Sequence, residues 1–188
     1  MIVLITGGAR SGKSAFAERW CMKHASSAVY IATAEVYDEE MRERVNLHRR
    51  QRSEADYAWT TLEEPLRLAE LLKELDGARQ DPPAVLVDCL TLWLSNVLLG
   101  AGEGPDTDTT AVVEREIEQL VEAAKLYSGL LVLVTNEVGS GIVPEYPLGR
   151  LYRDLAGRLN RRMAEISEQV FLVTAGIPIE LKSRAYDL

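Results

Sequence analysis

Histidine and cysteine are scarce in this 188-residue chain, with two of each, and positive charge is in deficit. Lysines and arginines number 21 against 29 acids, a formal net charge of −8. Each shortage excludes something. Cys21 and Cys89 stand far apart without a CxxC spacing, so neither a disulfide framework nor a zinc site is indicated, and both read as buried thiols. The acidic balance argues against nucleic acid as a partner, because duplex phosphates need a basic surface; small phosphorylated substrates held by a local basic patch fit better. No apolar run approaches the ~20 residues of a membrane span, and no basic leader precedes the first apolar segment, so a soluble cytoplasmic protein is expected. Any imidazole chemistry must fall to His24 or His48.

What is present begins at once. Ile2-Val3-Leu4-Ile5-Thr6 is a short apolar, β-branched run, Gly7-Gly8-Ala9-Arg10-Ser11-Gly12-Lys13-Ser14 follows in the spacing GxxxxGKS, and a helical pattern starts after it. Strand, glycine turn and helix in that order make the setting a phosphate-binding loop requires. The glycines let successive backbone N–H groups converge on phosphate oxygens, and the helix N-terminus adds partial positive charge. Lys13 would reach the β- and γ-phosphates and Ser14 would ligate Mg²⁺. Hydrolysis, kinase chemistry and nucleotidyl transfer all stay open on this motif alone.

Downstream, apolar runs alternate with helical patterns. Strands are expected at Ala28 to Thr33, Ala58 to Leu62, Ala84 to Asp88, Leu130 to Thr135 and Val170 to Thr174. Helices are expected at Lys13 to Lys23, Asp38 to Arg52, Leu66 to Leu75, Leu90 to Leu99, from an Asp106-to-Asp108 cap to Tyr127, and Leu148 to Ser167. The alternation predicts a single α/β domain over 1–188: a three-layer fold of the P-loop NTPase type, its mainly parallel central sheet flanked by helices. The apolar Leu90 to Leu99 stretch reads as a core helix or an oligomer contact. Open sheets of this kind bind ligands beyond their carboxyl strand ends, which draws attention to Asp88 and to Asn136 and Glu137. Asp88 has the form expected of a second Mg²⁺-associated carboxylate, with a helix-capping aspartate as the competing reading.

The charged segment DEEMRERVNLHRRQR places Arg44, His48 and Arg52 on one helical side. An imidazole can attack phosphorus, and Arg44, Arg49, Arg50 and Arg52 around it would stabilise charge on a transferred group. The plainer reading is a solvated helix end or an arginine clamp on a carboxylate. His24, closing the first helix, reads as a C-terminal surface residue.

GGARSGKS, YIATAE, RVxxHRxxR, WTTLEEP, VLVDCLTLWLSN, LVTNEVGSGIVPE and RLYRDLAGRLNRRMA together resemble the bifunctional adenosylcobinamide kinase/adenosylcobinamide-phosphate guanylyltransferase family of cobalamin synthesis. The resemblance implies two activities. A nucleoside triphosphate, ATP or GTP, at Gly7 to Ser14 would phosphorylate adenosylcobinamide with Mg²⁺. His48 would then take GMP from GTP and pass it to adenosylcobinamide phosphate. It further implies nucleotide contacts at Ala32, Thr33 and Ala34, at Arg49, Arg50 and Arg52, at Glu63 and at Asp88, and a homotrimer. Arg10 reads equally as a phosphate contact and as a solvent-facing side chain, and Arg153, Asp154 and Asn160 equally as site residues and as ion pairing that locks the last helix. The rivals are a monofunctional P-loop kinase for another small alcohol and a nucleotide-dependent switch protein.

Overall fold

The computed structural model describes residues 1–35, 43, 50, 52, 55–78, 80–102 and 108–186. The expectations for Arg44, His48 and Arg49 fall outside the described residues. Of the helix expected from Asp38 to Arg52, Glu43, Arg50 and Arg52 are described, and all three are helical.

Seven strands form one sheet in the order β3-β2-β4-β5-β1-β6-β7. They are β1 (Ile2–Thr6), β2 (Ser27–Ala32), β3 (Ala58–Glu63), β4 (Ala84–Asp88), β5 (Leu131–Val134), β6 (Gln169–Thr174) and β7 (Ile177–Glu180). Every neighbouring pair is parallel except β6 with β7. Both faces of the inner strands are covered, which is why β1, β4 and β5 read as unbroken apolar runs; β3, at the edge, alternates between exposed and half-buried positions.

Period-two alternation divides the strand side chains between two cores. Val3, Ile5, Tyr30, Leu86, Val132 and Val134 pack with Ala17, Trp20 and Cys21 of α1 (Lys13–His24). Ile2, Leu4, Ile31, Val85, Val87, Leu131 and Leu133 pack against α2 (Leu68–Gly77), α3 (Leu90–Gly100), α4 (Thr109–Leu126) and α5 (Pro147–Ile166). Right-handed crossovers require this division: the chain steps one way across the sheet from β1 to β3 and the other way from β3 to β6.

The α3 stretch is largely core within its own chain, with Leu90, Trp93, Leu94, Val97 and Leu98 buried and only Leu99 among its leucines exposed. One expectation changes: the strand pattern continues past Thr174. Ala175 (φ 51) and Gly176 (φ 79) form a two-residue turn with both φ values positive, the geometry that matches the twist of a hairpin, and β7 returns antiparallel. Pro178 disguised β7 in the sequence, and an outermost strand tolerates it. Asp108, as expected, caps α4 by accepting from Ala111 N at 3.0 Å.

Candidate functional site

β1 delivers the chain into the glycine turn at the carboxyl edge of the sheet. Gly7 is required by crowding: a Cβ there would lie 2.4 Å from the Val173 carbonyl oxygen and 2.7 Å from Ser11 Oγ. Gly12 combines φ +92 with a built Cβ 3.3 Å from Gly176 Cα. Gly176 N donates to Ser11 O at 2.9 Å, so the β6–β7 turn buttresses the loop from behind. Glu137 N donates to Gly7 O at 3.2 Å and ties in the end of β5. Gly8, Ala9 and Arg10 stand exposed at the rim, Arg10 with φ 57.

Lys13 opens α1 and is 8% exposed, with Nζ donating to Gly8 O at 3.1 Å inside the loop. Among the described residues, no side chain caps α1 and no acid occupies its first turn, so nothing there offsets the positive end of the helix dipole. Ser14 sits half-buried in that first turn. A Gly7→Ala substitution is expected to push either β6 or Ser11 aside, at a stability cost of about 1–3 kcal/mol. Gly8→Ala, with nothing within 4 Å of the new Cβ, should leave the melting temperature unchanged. Thermal unfolding of the two variants checks the contrast.

Beside the loop, the carboxyl ends of β2, β4 and β5 are joined by side-chain hydrogen bonds. Thr33 Oγ1 donates to Cys89 O at 2.7 Å and accepts from Cys89 N at 2.8 Å, while Asn96 Nδ2 donates to Thr33 O at 2.8 Å. Thr33 is fully buried, and its hydroxyl fastens the β2 end to the β4 end; Ala32 and Ala34 on either side are half-buried. Asn136 Nδ2 donates to Thr91 Oγ1 at 2.6 Å. Asn160 of α5 accepts from Thr135 Oγ1 at 2.6 Å and donates to Asn136 O at 3.0 Å, holding the end of β5 from beneath. Arg153 donates to Gly139 O and Arg150 to Pro144 O, so these side chains lock α5 onto the loop after β5.

The carboxylates separate by role. Asp88 ends β4 half-buried and accepts from Tyr30 Oη on Oδ2 at 3.0 Å. Burial pushes the Tyr30 phenol well above its ordinary value, and the Asp88 charge adds to the rise, so the phenol acts as the donor. Glu137 turns its carboxylate onto Gly139 N at 2.7 Å. Glu64 accepts from Leu66 N at 3.1 Å and Arg67 N at 2.7 Å, which makes it the structural member of the Glu63–Glu64 pair. Glu63 lies exposed at the end of β3, four strand spacings from β1, a separation of roughly 19 Å.

The arginines of the HRRQR segment also diverge. Arg50 is exposed, whereas Arg52 is 6% exposed, with Nη1 3.6 Å from Glu18 Oε1 and its guanidinium carbon 3.5 Å from the centroid of the Tyr30 ring. Arg52 is thus the arginine clamp on a carboxylate that the plainer sequence reading described. Glu18 is held above the ordinary carboxylate range because burial outweighs the opposing Arg52 charge. Cys21 and Cys89 are buried free thiols, each pushed up to about 11 by burial. His24 stacks on Trp20 at 3.7 Å, with Nδ1 2.7 Å from Trp20 O. Sequence reasoning missed Tyr30, Glu18 and Asn96, whose partners lie far off along the chain.

The described helices include none long and apolar enough to cross a membrane. Among solved structures, the fold resembles a protein of Pyrococcus horikoshii OT3, with a TM-score of 0.53 at 11% identity over 95% of this chain and 84% of that one. It also resembles a prototypical ATPase from the type III secretion system of pathogenic bacteria, with a TM-score of 0.51 at 14% identity over 99% of this chain and 58% of the other. Both likenesses concern the fold alone. Sequence relatives are far closer. The bifunctional adenosylcobalamin biosynthesis protein CobU of Escherichia coli K12 is 39% identical, covering 97% of this chain and all of that protein. CobP of Pseudomonas aeruginosa, of the same description, is 44% identical over 95% of this chain and 96% of its own length. CobU of Salmonella typhimurium LT2 is 41% identical over 97% of this chain and all of its own. Residues 3–181 match the family described as cobinamide kinase/cobinamide phosphate guanyltransferase, and with that extent and these identities the chain belongs to the CobU family.

Proposed function

We propose that this chain carries out both reactions of its family within one nucleotide-binding domain. It phosphorylates adenosylcobinamide with ATP or GTP, and then transfers GMP from GTP to adenosylcobinamide phosphate, giving adenosylcobinamide-GDP. The observation that supports this most is the family match over residues 3–181, which takes in both the GxxxxGKS loop and the HRRQR segment.

In the first reaction the triphosphate lies against Gly7 to Ser14, and the substrate hydroxyl oxygen attacks the γ-phosphorus as the bond to the β-phosphate oxygen breaks. Ser14 and Asp88 offer a hydroxyl and a carboxylate, hard oxygen donors of the kind Mg²⁺ takes while keeping waters and phosphates in its other positions. When bound, the ion would neutralise charge developing on the phosphates. Lys13 supplies a fixed ammonium, and Tyr30 keeps one oxygen of Asp88 occupied so that the carboxylate holds its orientation.

In the second reaction a ring nitrogen of His48 attacks the α-phosphorus of GTP and pyrophosphate leaves. The phosphate oxygen of adenosylcobinamide phosphate then attacks the same phosphorus and releases His48. One difficult displacement becomes two, each with a good leaving group. Glu63 is assigned to the guanine, where a carboxylate accepts the N1–H and N2–H₂ donors as a pair, and Ala32, Ala34, Arg49 and Arg50 line the nucleotide. The span of roughly 19 Å between β1 and β3 favours separate nucleotide poses for the two reactions. A cytoplasmic homotrimer belongs to the same reading; the exposed apolar residues Ile142, Val143 and Tyr146 offer it surface outside α3, and sedimentation velocity tests it.

GTP labelled at the α-phosphorus separates this reading from its rivals. The enzyme is expected to acquire an acid-labile, alkali-stable adduct that is discharged by adenosylcobinamide phosphate. A preparation that phosphorylates adenosylcobinamide yet never takes up label would be a kinase only. One that binds nucleotide and does neither would be a switch.

A further inference from the structure

Tyr30 is unusual among the buried aromatics because both ends of its side chain meet charged groups. It projects from β2 into the α1 face of the sheet, in register with Leu86, and Asp88 two residues further along β4 is its diagonal neighbour. The hydroxyl reaches Asp88 Oδ2 at 3.0 Å. The Arg52 guanidinium lies over the ring, and the Trp59 ring meets it edge-on at 6.1 Å and 87°, which fixes the plane of the phenol. Glu18, from α1, completes the arrangement by facing Arg52. Arg52 is four residues past His48 in the sequence. Among the described residues its Nε and Nη1 are buried without a hydrogen-bond partner, and the Tyr30 face and the Glu18 carboxylate lie against the guanidinium.

We propose that Tyr30 is a positioning residue for both reactions: its hydroxyl orients Asp88 for phosphoryl transfer, and its ring face, with Glu18, seats the Arg52 guanidinium for guanylyl transfer. The inference rests on the two-reaction reading above and adds to it Glu18, Arg52 and the ring face of Tyr30. Its content is a separation of effects within one side chain. The hydroxyl serves one reaction and the ring serves the other.

Two variants isolate the two ends. Tyr30→Phe keeps the ring and removes only the hydroxyl. Adenosylcobinamide kinase kcat is expected to fall about 10- to 100-fold, as when a partner that orients a metal-site ligand is lost. KM for the nucleotide stays as it was, and the rate of labelling from α-labelled GTP persists. Glu18→Gln keeps the volume and removes the carboxylate charge that faces the buried Arg52 cation. Here the labelling rate falls and kinase kcat stands. Tyr30→Leu, which lacks both ends, should lose both activities; if it fails to fold by circular dichroism, the first two variants carry the test. A Tyr30→Phe enzyme with unchanged kinase kcat overturns the hydroxyl's role. Equal losses of both activities in Tyr30→Phe and in Glu18→Gln overturn the separation and leave general destabilisation as the explanation. If wild-type enzyme neither phosphorylates adenosylcobinamide nor takes up label, the two-reaction reading itself has failed, an outcome distinct from both.

Discussion

Lys13→Ala is expected to lower kcat for adenosylcobinamide phosphorylation by on the order of 10²–10³, the usual loss when one preorganised charge-stabilising donor is removed. Nucleotide affinity should fall with it, and guanylyl transfer should suffer as well. The reason is local. Lys13 is the first residue of α1, buried in the loop with its ammonium 3.1 Å from the Gly8 carbonyl oxygen, so it needs little movement to meet phosphate oxygens arriving over the exposed Gly8–Arg10 rim. An alanine leaves the backbone amides and the helix dipole in place and removes only the point charge. Stability should change little by comparison, since the ammonium contacts a loop carbonyl and packs no core. Steady-state kinetics together with a fluorescent-nucleotide titration check this. Unaltered nucleotide affinity would remove Lys13 from the site.

His48→Ala is expected to act on one reaction only. Without the attacking nitrogen there is no covalent intermediate, so label from α-labelled GTP should disappear and guanylyl transfer should drop by several orders of magnitude. Adenosylcobinamide phosphorylation should continue, because the γ-phosphoryl group is handled at Gly7 to Ser14. The product then accumulates as adenosylcobinamide phosphate, which chromatography resolves from the GDP derivative. Retention of both activities would exclude His48 from the mechanism.

The parts of this molecule that were legible in the sequence are those whose causes lie close together along the chain. β1, the glycine turn and α1 are a continuous stretch, and their spacing alone states a phosphate loop. β4 and β5 announce themselves because burial on both faces leaves no polar position to interrupt the run. The Asp108 cap was equally local. What escaped notice is held by partners distant in sequence: Tyr30 with Asp88, Thr33 with Cys89, and Asn160 with Thr135. None has a periodicity or spacing to betray it. Arg52 is the instructive case, since a cation four residues from a candidate nucleophile invites a phosphate contact, yet its guanidinium is buried over Tyr30 and beside Glu18. Thr33 repeats the lesson with a hydroxyl bonded to the backbone of Cys89, 56 residues away.

The place of β1 in the sheet also sets a timetable. β1 precedes the other six strands in the chain, but its two neighbours are β5 and β6, and Ile2 waits for Leu131 and Val3 for Gln169. At a synthesis rate of about 5–20 residues per second, those partners arrive roughly 6–26 s and 8–33 s later. The loop itself is finished only when Gly176 N reaches Ser11 O. Until then a nascent chain displays GxxxxGKS without the strands and turn that flank the loop in the fold. Nucleotide cannot favour an early folding intermediate here; it can reward only a chain in which β5 and β6 have joined β1 and Gly176 has reached the loop.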